Sequence, residues 1–429
     1  MRRMRCMRKC LQSDSNLQEK ETYKKMQKQM KILSITAQKP HSTGSGVYLT
    51  ELVRNWQEMG CVQAVVAGIY EEDYADFPEE VTFYPVKFHT EKLPFSITGM
   101  SDEMPYESTR YRDMTPEMVK KFHDRFQYII EKAVRELDPD LIVCHHLYLL
   151  TAMVREWYPD KRIIAFSHGS DLRQIRKNPL EREYIQKQIA KLDLIIALQN
   201  AHKEEIKEIF GVEDNKVYVA GAGYNDKKFF RKERIKKPYY QIAFAGKVSE
   251  KKGVFSLLRA VDQLAFAPDE LKVKLAGGHG TKEEYEEIQK LAKESKYEIE
   301  FLGMLKQREL ADVLRESDVF VLPSYFEGLG LVLIEAMACG CKVVCSEIPG
   351  VTEWFRENVP GCRISFVKLP TMVNTDEPVV EELPEFEERL ASAIRAKLMQ
   401  KEEEYPQLEQ ISWKGISGKI LRIAAELEV

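Results

Sequence analysis

Residues 319–346, VFVLPSYFEGLGLVLIEAMACGCKVVCS, contain the pattern that decides the fold. A short apolar run typical of a strand leads, after a turn, into an apolar helical segment, and KVVCSE then begins a second strand. Similar runs alternate with amphipathic segments along most of the chain. This alternation predicts parallel sheets covered by helices, because parallel strands are joined by crossover connections.

The turn inside this stretch carries groups that a core helix does not need. Glu327 precedes the helix, Glu335 lies within it, and Gly328 and Gly330 stand at its start. Helix N–H groups that begin at Gly330 can bind a phosphate, since glycine lets the ligand approach the backbone closely. A helix of about eight residues spans ~12 Å. That length suits two hydroxyl-binding carboxylates on either side of a diphosphate, so the stretch predicts a nucleotide-sugar site.

Composition and charge exclude several classes of protein. The 429 residues are 44% apolar and 31% charged, which indicates a folded globular chain of two or three domains. The net charge of -4 gives no reason to expect a nucleic-acid partner. No apolar run reaches the ~18 residues that a membrane span needs. The basic start, MRRMRCMRKC, has no apolar region after it, so we expect a cytoplasmic protein.

The cysteines favour packing over metal binding. Cys339, Cys341 and Cys345 lie in or beside the apolar helix–strand pair, where small buried thiols are common. No Cys-x2-Cys pair is matched by a second pair or by spaced histidines, as a zinc site would require.

The strand pattern divides the chain into two blocks, residues 30–232 and 233–405. We expect an α/β fold with two Rossmann-like, doubly wound domains that face each other across a cleft. Residues 406–429 predict an amphipathic helix that could pack on either domain. Residues 1–29 hold nine Lys/Arg against three Asp/Glu. We interpret them as a disordered or loosely helical extension whose place in the native protein is open; a basic tether to a membrane surface or a partner is the alternative.

Loops at the carboxyl ends of the predicted strands carry the other candidates, since ligands of parallel sheets bind there. Lys247, Lys251 and Lys252 follow one strand and can neutralise a phosphate, residues 42–46 open a helix after the first strand, and His168 ends RIIAFSH. Each signal is weak by itself, because a solvated charged turn or a structural histidine gives the same pattern. His145 and His146 are adjacent, so strand alternation predicts that at most one of them faces the cleft.

Together these features resemble the retaining glycosyltransferases of family 4, which have the two-domain GT-B fold. The resemblance runs from about Met30 to the end of the chain, and its most specific element is the E-x7-E spacing of Glu327 and Glu335. The Gly44–Gly46 loop, SHGSD, AGKVSEKKG and a last helix with Trp413 follow in the family's order. Mycothiol and bacillithiol glycosyltransferases and sucrose-phosphate synthase are relatives by pattern, and the residues do not choose among them.

The resemblance implies roles for these residues. Glu327 would bind the hydroxyls of the donor sugar, Lys247 and Lys252 would hold the diphosphate, and His168 would lie near the C6 side of the sugar; these four are the catalytic candidates. The other donor-binding candidates are Gly44, Ser45, Gly46, Gly246, Gly328, Leu329, Gly330 and Glu335, of which Glu335 would bind the ribose. The family has Arg where this chain has Lys247, and Lys keeps the charge but loses the bidentate geometry.

The resemblance also implies the reaction. A hexose or N-acetylhexosamine would move from a nucleotide-diphosphate sugar, with UDP favoured, to a small-molecule acceptor with retention at the anomeric carbon. Neither a metal nor a cofactor is implied, since cations and helix ends would stabilise the leaving diphosphate. The last helix would cross back to the first domain.

The acceptor is expected on loops of the first domain. Residues 95–114 form a long polar stretch with Arg110, Tyr111 and Arg112, and Arg173 lies on the segment SHGSDLRQIRK. Clustered guanidinium groups suit a carboxylate or phosphate on the acceptor. An ordinary charged loop explains the residues equally well.

Two other functions stay open at this point. A nucleotide-sugar epimerase on the same fold would convert the donor without an acceptor. A non-catalytic nucleotide-sugar binder would bind the nucleotide and release none. Peripheral membrane contact also stays open, because it needs no apolar span.

Overall fold

We describe the protein from a computed structural model of the chain. The structure describes residues 30–101, 104–234, 236–359, 361–374, 376–401 and 406–427. The predicted N-terminal extension, residues 1–29, lies outside these ranges.

Strands and helices alternate along the described chain, as the sequence pattern predicts. The strands are β1 (Lys31–Thr36), β2 (Val62–Ile69), β3 (Thr82–Lys87), β4 (Thr98–Gly99), β5 (Thr109–Arg110), β6 (Leu141–His145), β7 (Ile163–Phe166), β8 (Leu194–Ala197), β9 (Val217–Val219), β10 (Tyr240–Ala245), β11 (Leu271–Ala276), β12 (Glu298–Gly303), β13 (Val319–Leu322), β14 (Lys342–Ser346) and β15 (Ser365–Val367). The α-helices are α1 (Gly44–Glu58), α2 (Pro116–Leu137), α3 (Leu149–Trp157), α4 (Ser170–Lys177), α5 (Arg182–Ile189), α6 (Asn200–Phe210), α7 (Val254–Asp262), α8 (Lys282–Glu294), α9 (Gln307–Glu316), α10 (Leu331–Ala338), α11 (Val351–Asn358), α12 (Leu383–Met399) and α13 (Trp413–Glu426).

The first sheet has seven strands in the order β3-β2-β1-β6-β7-β8-β9. Strand β1 pairs in parallel with both neighbours, and Leu33 lies opposite Ala64 of β2 and Ile142 of β6. The chain builds the sheet outward from β1 in one direction and then, starting at β6, in the other. The carboxyl ends of β1 and β6 therefore form a topological switch point, where ligands of such sheets bind.

The second sheet has six strands in the order β12-β11-β10-β13-β14-β15, which is the Rossmann order. Its switch point lies between β10 and β13, where Ile242 pairs with Val319 in parallel. A separate small sheet joins β4 to β5 in parallel.

Burial explains why the central strands have nearly continuous apolar sequences. Residues 32–36 of β1 and all of β6 and β13 are buried, since helices cover both faces of a parallel sheet. The helices begin at local signals: Thr43 caps α1, Thr115 caps α2 and Pro116 stands at the start of α2.

The described chain forms two compact units. Unit 1 comprises residues up to 197, residues 204–218 and the chain from 417 onward, and it contains the seven-stranded sheet. Unit 2 comprises residues 198–203 and 219–416 and contains the six-stranded sheet. The last part of α13 belongs to unit 1, where Trp56 Nε1 donates to the carbonyl oxygen of Ser417 over 3.1 Å. The sequence-based boundaries at 232/233 and 405/406 stay predictions.

The predicted fold class, α/β with two doubly wound parallel sheets, is confirmed. The apolar runs that predict strands, such as KILSIT, LIVCHH, QIAFAG and VFVLPS, all contain strands in the structure. The prediction omitted β3, β4, β5 and β15. Strands β4, β5 and β15 have only two or three residues each, and β3 contains polar residues and Pro85. No helix of the described residues is long and apolar enough to cross a membrane.

Candidate functional site

The loop after β10 brings two predicted lysines to the switch point of unit 2. Residues 246–249 lead into a 3-10 helix, Glu250–Lys252, and α7 then begins after Gly253. Gly253 has a φ of 68°, and an added Cβ would overlap the carbonyl oxygen of Pro323 in the loop after β13. Only glycine therefore lets these two loops pack closely enough to place Lys252 beside the β13 loop.

Lys252 and Glu327 form an ion pair at this switch point. Lys252 Nζ lies 2.7 Å from Glu327 Oε1, and the Ser324 hydroxyl donates to the same oxygen over 2.7 Å. The side chains of Glu327 and Lys252 are 16% and 27% exposed, so the pair is partly shielded from water. Glu327 Oε2 has no hydrogen-bond partner among the described residues and is available to a ligand hydroxyl.

Helix α10 begins directly after these groups. Gly330 precedes it with a φ of 66°, and the helix runs from Leu331 to Ala338, in agreement with the predicted start. N–H groups in its first turn lack intrahelical partners and carry the positive end of the helix dipole. The helix start therefore offers an anion site beside Glu327.

Glu335 lies one turn further along α10, where the surroundings are less polar. Burial raises the pKa of its carboxyl group to about 7, and the charge of Lys228 opposes that rise. The two acids of the E-x7-E pattern therefore differ, because Glu327 is held by a lysine and a hydroxyl whereas Glu335 is desolvated.

A cavity of about 330 Å³ opens beside the lysine loop of unit 2. Lys247, Lys252, Phe326 and Asp376 line it, together with Thr281 at the start of α8. Its size falls in the range of small-molecule sites. The structure thus brings Lys247, Lys252 and the Glu327 loop together, as the sequence analysis predicts.

In unit 1, the predicted Gly44–Gly46 loop forms the start of α1. The Thr43 hydroxyl accepts from the Gly46 N–H over 3.1 Å, and the Ser45 hydroxyl donates to Gln38 Oε1 over 3.3 Å. A Cβ at Gly46 would come within 2.8 Å of the Lys39 carbonyl oxygen, whereas nothing lies within 4 Å of a Cβ at Gly44. Gly46 is therefore needed for packing, and Gly44 leaves open space at the helix start.

His168 lies in a group of three histidines at the switch point of unit 1. His145 Nδ1 is 3.1 Å from His168 Nε2, and the rings of His146 and His168 are 4.9 Å apart. His146 Nε2 is 3.2 Å from Gln38 Oε1. Burial lowers the pKa of His145 to about 3 and also lowers that of His146, so both imidazoles are neutral at physiological pH.

Gln38, His145 and His146 are additional candidates that the sequence analysis did not assign. The alternation argument does not extend to His146, because β6 ends at His145 and His146 has a φ of 73°. Gln38 Nε2, His145 Nε2 and His146 Nδ1 are buried and have no hydrogen-bond partner in the described structure. In the sequence, the only sign of these three candidates was that they lie at the end of β6 or shortly after β1 and β6. Ser324, which binds Glu327, was likewise missed.

The predicted acceptor residues differ in their exposure and in their partners. Arg110 Nε pairs with Asp113 Oδ2 at 2.6 Å on the surface, and Arg173 is exposed on α4. Tyr111 is buried and hydrogen-bonded to Thr98, and burial raises its pKa to about 12. Arg110 and Arg173 remain accessible to an anion, whereas Tyr111 packs in the interior of unit 1. Within the described ranges no group of three or more His, Cys, Asp or Glu residues is placed to hold a metal ion.

Two family models match the chain, and their matches meet at residues 225–228. The model described as Glycosyltransferase Family 4 matches residues 42–228, and the model described as Glycosyl transferases group 1 matches residues 225–369. The chain belongs to glycosyltransferase family 4. The matches include Gly44–Gly46 and His168 in the first model, and Lys247, Lys252, Glu327 and Glu335 in the second.

Two curated relatives each match less than half of this chain. An alpha-maltose-1-phosphate synthase of Mycolicibacterium smegmatis is 30% identical over 194 residues, which are 42% of this chain and 46% of the relative. A D-inositol 3-phosphate glycosyltransferase of Xylanimonas cellulosilytica is 28% identical over 190 residues, which are 40% of this chain and 45% of the relative. The chain thus spans about half the length of these relatives.

Solved structures show the same fold over nearly the whole family 4 chain. Sucrose-phosphate synthase of Thermosynechococcus elongatus covers 93% of this chain and 99% of its own, with a TM-score of 0.58 and 16% identity. An Anabaena protein in complex with UDP and glucose covers 93% of this chain and 100% of its own, with a TM-score of 0.55 and 15% identity. At these identities the likeness establishes the fold, which is the GT-B fold of the family.

Proposed function

We propose that this protein is a retaining glycosyltransferase that moves a hexose or N-acetylhexosamine from a nucleotide-diphosphate sugar, with UDP favoured, to a small anionic acceptor. The observation that carries the proposal is the Lys252–Glu327 pair at the switch point of unit 2, beside the N-terminus of α10. It combines a cation, an open carboxylate oxygen and helix N–H groups in one place. These are the groups that a diphosphate joined to a sugar requires.

Each group has a separate role in the proposed transfer. Lys247, Lys252 and the first turn of α10 hold the diphosphate, and Gly246, Gly328, Leu329 and Gly330 let it approach the backbone. Glu327 accepts hydrogen bonds from sugar hydroxyls through Oε2, since Oε1 already binds Lys252 and Ser324. Glu335 binds the ribose hydroxyls of the nucleotide. These groups attract charge that grows on the diphosphate as it leaves, which lowers the barrier.

The reaction step is an exchange at the anomeric carbon. The bond from C1 to the diphosphate oxygen breaks as a bond from C1 to the acceptor oxygen forms on the same face. The proton of the acceptor hydroxyl passes to the departing diphosphate, so no separate base is required. Glu327 is held by a lysine in this scheme and serves as a binding group instead of a nucleophile.

We assign the acceptor to the carboxyl edge of the sheet in unit 1. Gly44, Ser45 and Gly46, which the resemblance assigns to the donor, lie at this same edge beside Gln38. His168, the catalytic candidate expected near C6 of the donor sugar, lies beside His145. Arg110, Arg112 and Arg173 supply positive charge on neighbouring loops. The names of two relatives, a maltose-1-phosphate synthase and an inositol 3-phosphate glycosyltransferase, each contain a phosphate, which supports an anionic acceptor. An Anabaena protein with the same fold was solved with UDP and glucose, which supports the donor.

The test is nucleoside-diphosphate release from a panel of UDP-, GDP- and ADP-sugars, with and without sugar phosphates and polyol phosphates as acceptors. We expect release from one donor, dependent on acceptor and abolished by Glu327→Ala. Conversion of donor without acceptor would support an epimerase instead. Binding of a nucleotide sugar without any release would reject catalysis. Proton NMR coupling at the anomeric carbon of the product would then show retention or inversion.

A further inference from the structure

Asp171 is a fully buried carboxylate between the two histidine-bearing loops of unit 1. Its exposed fraction is 0%, and it lies in the first turn of α4. Leu147 donates its backbone N–H to Asp171 Oδ2 over 2.8 Å. The Ser167 hydroxyl and the His168 N–H both donate to Asp171 Oδ1, over 3.1 and 3.2 Å. One side chain thus joins the loop after β6 to the loop after β7.

The bonding of this carboxylate is unusual for a buried charge. Buried carboxylates are normally paired with a cation, because removing an unpaired charge from water is costly. Asp171 has no ion pair in the described structure, and its partners are two backbone N–H groups and one hydroxyl. The N-terminus of α4 adds a favourable dipole. A side chain that served packing alone would be apolar at lower cost.

The three hydrogen bonds fix the geometry of the histidines. Leu147 follows His145 and His146 directly, so the bond to its N–H sets the position of both. The bond to the His168 N–H sets the third ring against them. The result is the 3.1 Å contact between His145 Nδ1 and His168 Nε2. Both carboxylate oxygens of Asp171 are occupied, so the residue is not open to a ligand.

We infer that Asp171 is a positioning residue for the transfer reaction and acts through His168. This inference rests on the proposed function, in which His168 contributes to transfer. Asp171 ties the loop of His145 and His146 to the loop of His168, and this tie keeps the imidazole of His168 in its working position. Small displacements of reacting groups are costly, since about 1 Å can reduce a rate on the order of a hundredfold.

A double-mutant cycle tests the inference. Asp171→Asn replaces one acceptor oxygen by an N–H2 group that faces existing donors, so it breaks part of the tie at little change in volume. We expect kcat to fall roughly tenfold to a hundredfold, with UDP affinity unchanged by calorimetry because unit 2 holds the nucleotide. The double variant with His168→Ala should be within about twofold of His168→Ala alone, because both changes remove one effect.

Asp193 provides a matched control on the same sheet. Its Oδ2 accepts the Ile163 N–H over 2.7 Å, at the opposite end of β7, and it pairs with Arg155 at 3.0 Å. Asp193→Asn should lower stability and combine additively with His168→Ala. If Asp171→Asn also combines additively, Asp171 has only a structural role and the inference is wrong.

A measurement without turnover separates this inference from the proposed function. Hydrogen exchange at the amides of residues 145–148 and 167–169 should be faster in Asp171→Asn than in the wild type, with exchange in unit 2 unchanged. Unchanged exchange at these amides would overturn the tie. Should Asp171→Asn fail to fold, Ser167→Ala removes one of the three bonds, and it should show the same local exchange and a smaller, still coupled loss of kcat. If the wild type releases no nucleotide, the transferase proposal is rejected. Hydrogen exchange alone then shows whether Asp171 connects the two histidine-bearing loops.

Discussion

The switch points of the two sheets have the same topology and different chemistry. In unit 2 the edge between β10 and β13 carries Lys252, Glu327 and the start of α10, which are charged groups open to a ligand. In unit 1 the edge between β1 and β6 carries Gln38 and the neutral imidazoles of His145 and His146. His146 bonds to Gln38, and His145 bonds to His168. The strand order thus fixes where a site can lie, and the loop residues decide which ligand it suits.

From this comparison we propose charge recognition at the sheet edge of unit 2 and neutral hydrogen bonding at the sheet edge of unit 1, where arginines on neighbouring loops would bind the anionic group of the acceptor. A nucleotide sugar brings two phosphates, for which lysines and helix N–H groups are the appropriate partners. An acceptor hydroxyl needs a group that accepts or donates without a net charge, and a neutral imidazole does both.

The largest effect should come from removing the Lys252–Glu327 ion pair at the sheet edge of unit 2. Glu327→Ala removes the carboxylate that we propose binds the donor sugar and leaves Lys252 without its partner, so we expect kcat/KM to fall at least about a hundredfold, or ~3 kcal/mol. The measurement is steady-state release of the nucleoside diphosphate. Glu298→Ala is the control, because it breaks the 2.6 Å Lys272–Glu298 pair on the surface of the same unit and should change kcat/KM less than about twofold. A loss below about fivefold for Glu327→Ala would contradict the role of the pair.

The second effect tests the loop packing that builds this edge. Gly253→Ala would combine a φ of 68° with an overlap between the new Cβ and the Pro323 carbonyl oxygen. We expect a loss of about 3 kcal/mol in the free energy of unfolding, measured by urea denaturation. Gly211→Ala is the control, since its φ is 63° and no atom lies within 4 Å of the new Cβ. It should cost about 1 kcal/mol, and equal losses would show that loop packing is not the cause.

The third effect is a pH dependence confined to unit 2. The pKa of Glu335 is raised to about 7 from an ordinary 4.5, so ionisation costs stability, and the cost develops as pH rises from 4.5 to 7. Glu335→Gln should therefore raise the free energy of unfolding at pH 8 by about 2 kcal/mol, with no gain at pH 4. In the wild type, nucleotide affinity should rise with pH up to about 7, because the ionised carboxylate is the better acceptor for ribose hydroxyls. A pH-independent affinity, measured by calorimetry, would exclude Glu335 from the ribose site.

The fourth effect is the opposite pH dependence in unit 1. The pKa of His145 is lowered from 6.5 to about 3, so the unfolded chain takes up a proton first and stability falls as pH drops below 6.5. This contribution amounts to at most about 1.4 kcal/mol per pH unit. His145→Gln should make the loss of stability between pH 6.5 and pH 4 less steep in urea titrations. A slope for His145→Gln equal to that of the wild type would contradict this contribution.

The smallest effect concerns the acceptor. Arg110 is 45% exposed and already pairs with Asp113, so its removal should raise the KM of an anionic acceptor only about threefold to tenfold, with kcat unchanged. Lys207→Ala, which breaks a surface pair with Glu204 in the same unit, is the control. An unchanged KM for Arg110→Ala would reject an anion site at this loop.

The sequence predicts the fold well because the central strands are buried on both faces. KILSIT and LIVCH are mainly apolar and all of their residues except Lys31 are buried, so their strand assignment follows from burial. The edge strand β3 has the sequence TFYPVK and a mixed burial pattern, and apolar content alone does not identify it. The start of α10 was predictable as well, since Gly330 marks the left-handed residue before the helix.

The candidate site is predictable where it depends on local order and not where it depends on long-range contacts. Lys247, Lys252 and Glu327 lie in the segments that follow β10 and β13, so their place near the sheet edge can be predicted from the sequence. Ser45 and Gln38 come together through a helix start, and His146 reaches Gln38 across 108 positions. The tie through Asp171 depends on the position of α4 relative to β6, which no periodicity encodes.

The hydrogen bond from Trp56 to Ser417 has a consequence for synthesis in the cell. The two residues are 361 positions apart, so the buried indole N–H of Trp56 in α1 has no acceptor until Ser417 in α13 has been synthesised. A ribosome delivers most of unit 1 before unit 2, and it delivers the part of unit 1 from residue 417 onward only after unit 2. Until then the nascent unit exposes the surface that α13 covers, which makes it a target for chaperones. A chain cut before Ser417 would lack the acceptor of this bond, while every strand of the six-stranded sheet would be present.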